Sequence, residues 1–241
     1  MKLSEIFNQL THGEFRMLAI GGATLGSITE ANYPAVLAHI NLGLTALFTR
    51  FTLKEGRILL RPVEGQLVYA LDDKFAVNNR RSAQVNRYLI DSASEPFNDD
   101  TLIKVERVLD TCQRDLSLNR QDDPCSYFTP SIKSLRIPPP TKDHPLEDVT
   151  LVYRQNHAQL AVTMGYFDPA RIEVELPYTH LEALLYFVAS RVHNPLGMQN
   201  EFNMGNNYAQ KYEQACQMLE MKNVEADHST ENCRIRRMGW V

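Results

Sequence analysis

The stretch Glu175–Gly197, ELPYTHLEALLYFVASRVHNPLG, is the most strongly patterned in the chain, and it carries two histidines and two acids. Thr179 followed by Glu182 has the spacing of a capping box, in which the hydroxyl accepts from a backbone N–H three residues on and the carboxylate reaches back. A helix is therefore expected to start there. Leu181, Leu184, Leu185, Val188 and Val192 recur at three-and-four spacing, and Ala183, Tyr186, Phe187 and Ala189 widen the stripe. Arg191 suits the C-terminal end of the dipole, and Pro195 biases Asn194 away from helix, so the helix should stop near His193. His180 and Glu182, two positions apart, point to nearly opposite sides. His180 and His193 lie thirteen steps apart, roughly 20 Å along the axis. Neither pair can share a proton or a metal ion, and no HExxH order occurs. His180 is expected at the surface near the cap and His193 at the C-terminal end beside the dipole, and the helix is read as packing.

Working outward, the strand-like run RIEVELP precedes it, where Ile172, Val174 and Leu176 alternate with Arg171, Glu173 and Glu175. RILLR, LIKVERVL and DVTLVYR are further short β-rich runs, so residues 57–177 read as an inserted, small, mostly antiparallel sheet. Two polar loops interrupt it. The first, Val77 to Arg87, holds Arg80, Arg81 and Arg87 beside an Asn-Asn turn signal. The second, from about 120 to 148, holds six of the twelve prolines and is expected to be one extended, pre-stiffened loop.

On the other side of the sheet, residues 1–56 form an N-terminal helical half. Ser4 is a plausible N-cap for a helix presenting Ile6, Phe7 and Leu10. Asn32 and Pro34 open a second helix, with Leu37, Ile40, Leu44, Leu47, Phe48 and Phe51 on one face and Gly56 as its stop. Between them, GGATLGS has a GxxxxG frame with Ser27 where a phosphate loop needs lysine, and reads as a link. Residues 178–222 form the C-terminal helical half, with a last helix from near Asn207 whose inner face is Tyr208, Tyr212, Ala215, Cys216 and Leu219. Met204, Met218 and Met221 read as gap-filling packing. Residues 223–241 lack helical period and end in Arg234, Arg236, Arg237 and Trp240, residue types that dominate interface hot spots, and so are candidates for partner docking. The fold expected is α+β: N- and C-terminal helix pairs packed as an antiparallel bundle with one small inserted sheet and long loops.

Composition narrows the function. The 241 residues are 44% hydrophobic and 22% charged with a net charge of −4, which disfavours a dedicated nucleic-acid binder. No apolar run approaches a membrane span, the N-terminus is unlike a signal peptide, and the chain is expected to be cytosolic where it is made. Cys112, Cys125, Cys216 and Cys233 show no ligand spacing and read as reduced thiols; no metal, cofactor or catalytic constellation is expected.

Two segments carry a family resemblance. ANYPAVLAHINLGLTALFTRF, with Pro34 and Ile40-Asn41, is one. The other is IEVELPYTHLEALLYFVASRVHNPLGMQNEFNMGNNYAQKYEQAC, with Pro177, Glu182-Ala183-Leu184-Leu185, Ala189-Ser190-Arg191, Tyr208 and Tyr212. Together they resemble the two helical halves of head-to-tail adaptor proteins of tailed, especially short-tailed, bacteriophages. The resemblance implies a virion protein without catalysis, assembled in the host cytoplasm. It would form a homo-oligomeric ring, twelvefold like the portal, joining portal protein to tail tube or nozzle around the DNA exit channel. DNA would pass without sequence-specific contacts, and Arg80, Arg81 and Arg87 would face the channel or a partner. The loop at 120–148 has no counterpart in that family. Two other readings compete. One is a hydrolase using Cys125 with His144 or His157, which lacks any nucleophile motif; the other is a nucleic-acid accessory protein using the three loop arginines.

Overall fold

The computed structural model describes residues 1–16, 18, 25–79, 81–141, 145–162, 167–193 and 199–222. The chain divides into two compact units, Met1–Leu53 with Gln159–Val241, and Lys54–Ala158.

The first unit is helical. Helix α1 spans Leu3–His12 and buries Leu3, Ile6, Phe7 and Leu10, a single stripe at helical spacing. Its N-cap is Lys2 rather than Ser4. Helix α2, Tyr33–Arg50, takes Pro34 in its first turn, where the missing N–H costs no hydrogen bond, and buries Val36, Leu37, Ile40, Leu44, Leu47 and Phe48. Helix α3 spans Leu181–His193, and α1, α2 and α4 (Gln199–Met221) all pack on it. The capping box does not form. A 3₁₀ turn at Tyr178–His180 leads into α3, the Thr179 hydroxyl bonds His180 Nδ1, and Glu182 accepts from Tyr186 Oη instead. Helix α4 begins eight residues before the expected start, and its inner face includes Cys216 and Leu219. Met204, Met218 and Met221 lie on its exposed side and fill no gap.

The RIEVELP alternation is borne by burial, with Val174 and Leu176 inside, but its partner is the N-terminus and not a sheet. Lys2 bridges Glu173, Leu3 N–H donates to Ile172 O, and Val174 N–H donates to Met1 O. Residues 159–177, expected in the inserted region, thus belong to the helical unit.

The second unit corrects the fold expectation. The protein is not a helical bundle with one small sheet: the described residues form four helices and two antiparallel sheets, of five and three strands. Strands β1 (Glu55–Leu60), β3 (Leu89–Ile90), β4 (Leu102–Leu109), β5 (Asp115–Leu116) and β8 (Val149–Gln155) form the order β3-β1-β8-β4-β5. Strands β2 (Val68–Ala70), β6 (Phe128–Ser131) and β7 (Ser134–Arg136) form β2-β7-β6. Both sheets contribute to one core: Ile58 and Leu60, Val149, Leu151 and Tyr153, Tyr69 and Leu135. In β4 the buried residues Leu102, Val105 and Val108 are three apart because two bulges each insert a residue into the pairing with β8.

Gly56 does not stop α2, which ends at Arg50; it lies in β1 opposite Tyr153, where a Cβ would stand 2.3 Å from the ring. The aromatic ring covers the bare backbone of its cross-strand partner. The stretch 120–148 is not one loop, since it contains the β6–β7 hairpin, and Ile137 beyond it is buried. Tyr69 and Tyr88 pack edge to face, and each pins a chain segment by its hydroxyl. Tyr69 Oη accepts from Val63 N–H and lies 2.8 Å from Gln66 O, while Tyr88 Oη bonds both polar groups of Ala70.

Candidate functional site

The loop Val77–Arg87 is anchored at its root. Val77 N–H donates to Leu89 O, and the backbone of Ala76 bridges Leu89. Asn78 bonds Asp91 through both its backbone and its side chain, and Asp91 also accepts from Phe97 N–H, so one carboxylate joins three segments. Asn79 donates to Asp73 O and accepts from Arg81 N–H, the Asx turn that Asn-Asn favours. Ser82 Oγ donates to Lys74 O and accepts from Gln84 N–H. Arg87 closes the frame: its guanidinium donates to Val77 O at 3.0 Å, Ser82 O at 2.8 Å and Gln84 O at 3.4 Å.

Of the three loop arginines expected to act together, the two that are described separate. Arg87 spends its donors on its own loop. Arg81 is exposed at the tip, and Arg80 lies outside the described residues. The terminal candidates Arg234, Arg236, Arg237 and Trp240 also lie outside them.

Beside the loop stands a group of carboxylates. Oxygens of Asp72, Asp73 and Asp99 lie within 4.8 Å of one another, the one such grouping of potential metal ligands among the described residues. Lys74 pairs with Asp72 at 2.6 Å and Lys133 with Asp99 at 2.5 Å, so two of the three acids are neutralised in place. Lys74 holds the Asp72 carboxyl below the usual range, whereas partial burial and then the neighbouring Asp99 push Asp73 up. Exposed acids with lysine partners are an ordinary solvated surface, and this group is not assigned a metal.

Of the hydrolase candidates, Cys125 and His157 lie among the described residues, and no hydrogen bond joins them there. The Cys125 backbone N–H donates to Asp123 Oδ1, and no hydrogen bond among the described residues joins its thiol to a histidine. His157 is buried with Nδ1 against Ala158 O, and His144 lies outside the described residues. Cys112, Cys125 and Cys216 are free thiols.

In the helical unit both histidines of the opening stretch are buried, His180 against the expectation of a surface position. His180 packs edge-on to Phe51 at 4.9 Å, and burial lowers its pKa. His193 stacks on Tyr208 at 5.2 Å, with Nε2 3.3 Å from Glu14 O.

Of the groups that join this unit together, sequence reasoning passed over Gly43 and Arg50 and noted Asn41 in the Ile40-Asn41 pair. Gly43 lets α2 approach α3: a Cβ there would stand 2.7 Å from Leu184 Cδ1 and 2.9 Å from Phe187 Cδ1. Asn41 donates to Leu160 O at 2.8 Å and accepts from Leu160 N–H at 3.0 Å, tying an extended segment to α2. Arg50 binds Glu213 through two nitrogens and Glu220 through a third, each at 2.7 Å, joining the end of α2 to α4. A glycine within an apolar helix and an arginine in a last turn carry no distinguishing local pattern, whereas an Asn inside an otherwise apolar helix does.

Among the described residues no helix is long and apolar enough to cross a membrane. No family model matches the chain, and no curated protein shows significant similarity to it.

Proposed function

We propose that this chain is a head-to-tail adaptor of a tailed bacteriophage. It assembles as a closed ring, twelve copies to match the portal, between portal and tail and around the channel through which DNA leaves the capsid. The observation that carries the reading is that the two segments bearing the resemblance pack on one another in one helical unit, with Gly43 of the first against Leu184 of the second and Arg50 of the first bonded to Glu213 of the second. Ile40, Ala183, Leu184, Leu185 and Ala189 are buried, Asn41 ties down Leu160, Tyr212 lies edge-on to Phe187, and Tyr208 stacks on His193.

A ring of identical subunits needs head-to-tail contacts that close. The tail at 223–241, with Arg234, Arg236, Arg237 and Trp240, supplies residue types suited to an arm on the neighbouring subunit or the portal. A net charge of −4 suits a channel that must release its DNA, since many phosphate contacts would free counterions and hold the duplex. The role is joining and sealing, without chemistry.

The test is size-exclusion chromatography of the chain with the portal protein of the same phage. The chain should elute with the portal as a stoichiometric complex, and Trp240→Ala should weaken that joining while leaving the circular dichroism spectrum unchanged. A chain that elutes apart from the portal under all conditions would contradict the proposal.

A further inference from the structure

The Val77–Arg87 loop combines an organised frame with an exposed tip. Arg87, Asn78, Asn79 and Ser82 fix its backbone, as described above, so the loop has little conformational freedom left to lose on docking. What it displays is Val85, 95% exposed, and the exposed Arg81, whose guanidinium has no hydrogen-bonding or ionic partner among the described residues. Beside it is an open depression lined by Asp73, Asn78, Arg81, Pro96 and Phe97. The Asp73 carboxylate likewise has no hydrogen bond or ion pair among the described residues: Lys74 and Lys133 pair with the neighbouring Asp72 and Asp99 and leave Asp73 without a direct partner.

The depression is mostly polar, with Asn79 and Asp91 also in its lining, so this surface offers an apolar knob, the Pro96 and Phe97 rings, an unpaired cation and an unpaired anion. A patch that supplies both halves of a contact is self-complementary, and such patches pair about a twofold axis. We infer that this surface docks a second copy of the chain, Val85 of each copy seated against Pro96 and Phe97 of the other and Arg81 of each paired with the other's Asp73.

A polyanion fits the same surface poorly. Asp73 and Asp91 line the depression beside Arg81 and disfavour phosphate there, and phosphate offers nothing to cover Val85. The contact is small, which places it among weak associations with a Kd on the order of 10–100 μM. The inference does not rest on the adaptor reading, whose test requires the portal.

Sedimentation velocity on the full chain over a concentration series, without portal, tests the pairing. The expected result is a monomer–dimer equilibrium that Val85→Asp, Arg81→Glu and Asp73→Arg each weaken by about tenfold or more, and that the double variant Arg81→Glu/Asp73→Arg restores. All three positions lie at the surface, so circular dichroism spectra should match the unsubstituted chain; a variant that misfolds is replaced by Val85→Ser or Arg81→Gln, which should weaken the pair in the same direction. A chain that stays monomeric to about 1 mM overturns the inference, as does a dimer indifferent to these substitutions or one the double variant fails to restore. Fluorescence anisotropy with a random-sequence duplex separates the other source of contact. Salt-dependent DNA binding abolished by Arg81→Glu, in a chain that does not self-associate, would assign the tip to phosphate and overturn pairing.

Discussion

Replacing Gly43 with alanine puts the packing of the helical unit to a quantitative test, because two effects of known size oppose each other. Inside an exposed helix the change stabilises by about 1 kcal/mol, since alanine loses less backbone freedom on folding. Here the new Cβ would lie 2.7 Å from Leu184 Cδ1 and 2.9 Å from Phe187 Cδ1, where ordinary carbon contacts lie at about 3.5–4.0 Å. Leu184 is fully buried and has no open space to swing into, so either α2 and α3 separate by roughly 1 Å or a side chain leaves its preferred rotamer. Overpacking of this kind costs about 1–3 kcal/mol, and after subtracting the propensity gain the net loss should be about 1–2 kcal/mol. Gly43→Val adds a second branch and should cost about 3 kcal/mol. The assay is urea denaturation followed by far-ultraviolet circular dichroism, with the midpoint read at unchanged slope. In a Leu184→Ala background the penalty of Gly43→Ala should shrink, because the colliding methyl is gone. A gain of about 1 kcal/mol for Gly43→Ala in the otherwise unaltered chain would refute the reasoning, since it is the result for a glycine facing no neighbour.

Three further outcomes follow from the geometry. Arg50→Ala should destabilise by about 1 kcal/mol, kept modest because the guanidinium and both carboxylates are partly exposed, and the difference should narrow in high salt. Tyr69→Phe leaves the Val63 N–H without its acceptor in the core and should cost about 1–3 kcal/mol, visible in denaturation and as faster hydrogen exchange at Val63. Burial lowers the pKa of His180, and burial with the nearby Arg191 lowers that of His39. The folded state therefore binds fewer protons than the unfolded chain, and stability present at neutral pH is lost as pH falls through about 6.5 and below. Thermal melts should fall between about pH 7 and pH 5, and His180→Phe should flatten that slope.

How much of this could be read in the residues depended on the length of each repeat. Helices α1 to α3 were legible because their buried positions recur over two or more turns at three-and-four spacing. Strands β1, β4 and β8 were legible as runs of branched apolar residues. The second sheet was not: β2, β6 and β7 have three or four residues each, too few for alternation to register, and Pro130 in the edge strand β6 reads as a loop signal. The start of α4 was hidden for the opposite reason, since Gln199 to Asn207 is polar and offers no apolar stripe. Ile172, Val174 and Leu176 show the limit of periodicity: it specified which side chains go inside but not which segment supplies the pairing. In the candidate site, composition pointed to the loop at 77–87, yet three arginines look alike in sequence. Only hydrogen bonding distinguishes the frame, Arg87, from the exposed Arg81.

The central claim is that the chain closes into a ring between portal and tail. Electron microscopy of the chain mixed with portal protein from the same phage tests it most directly. The account predicts a closed ring of this chain seated on the tail-facing end of the portal, coaxial with the channel and matching its symmetry. Portal particles with bare ends, in the presence of excess folded chain, would contradict it.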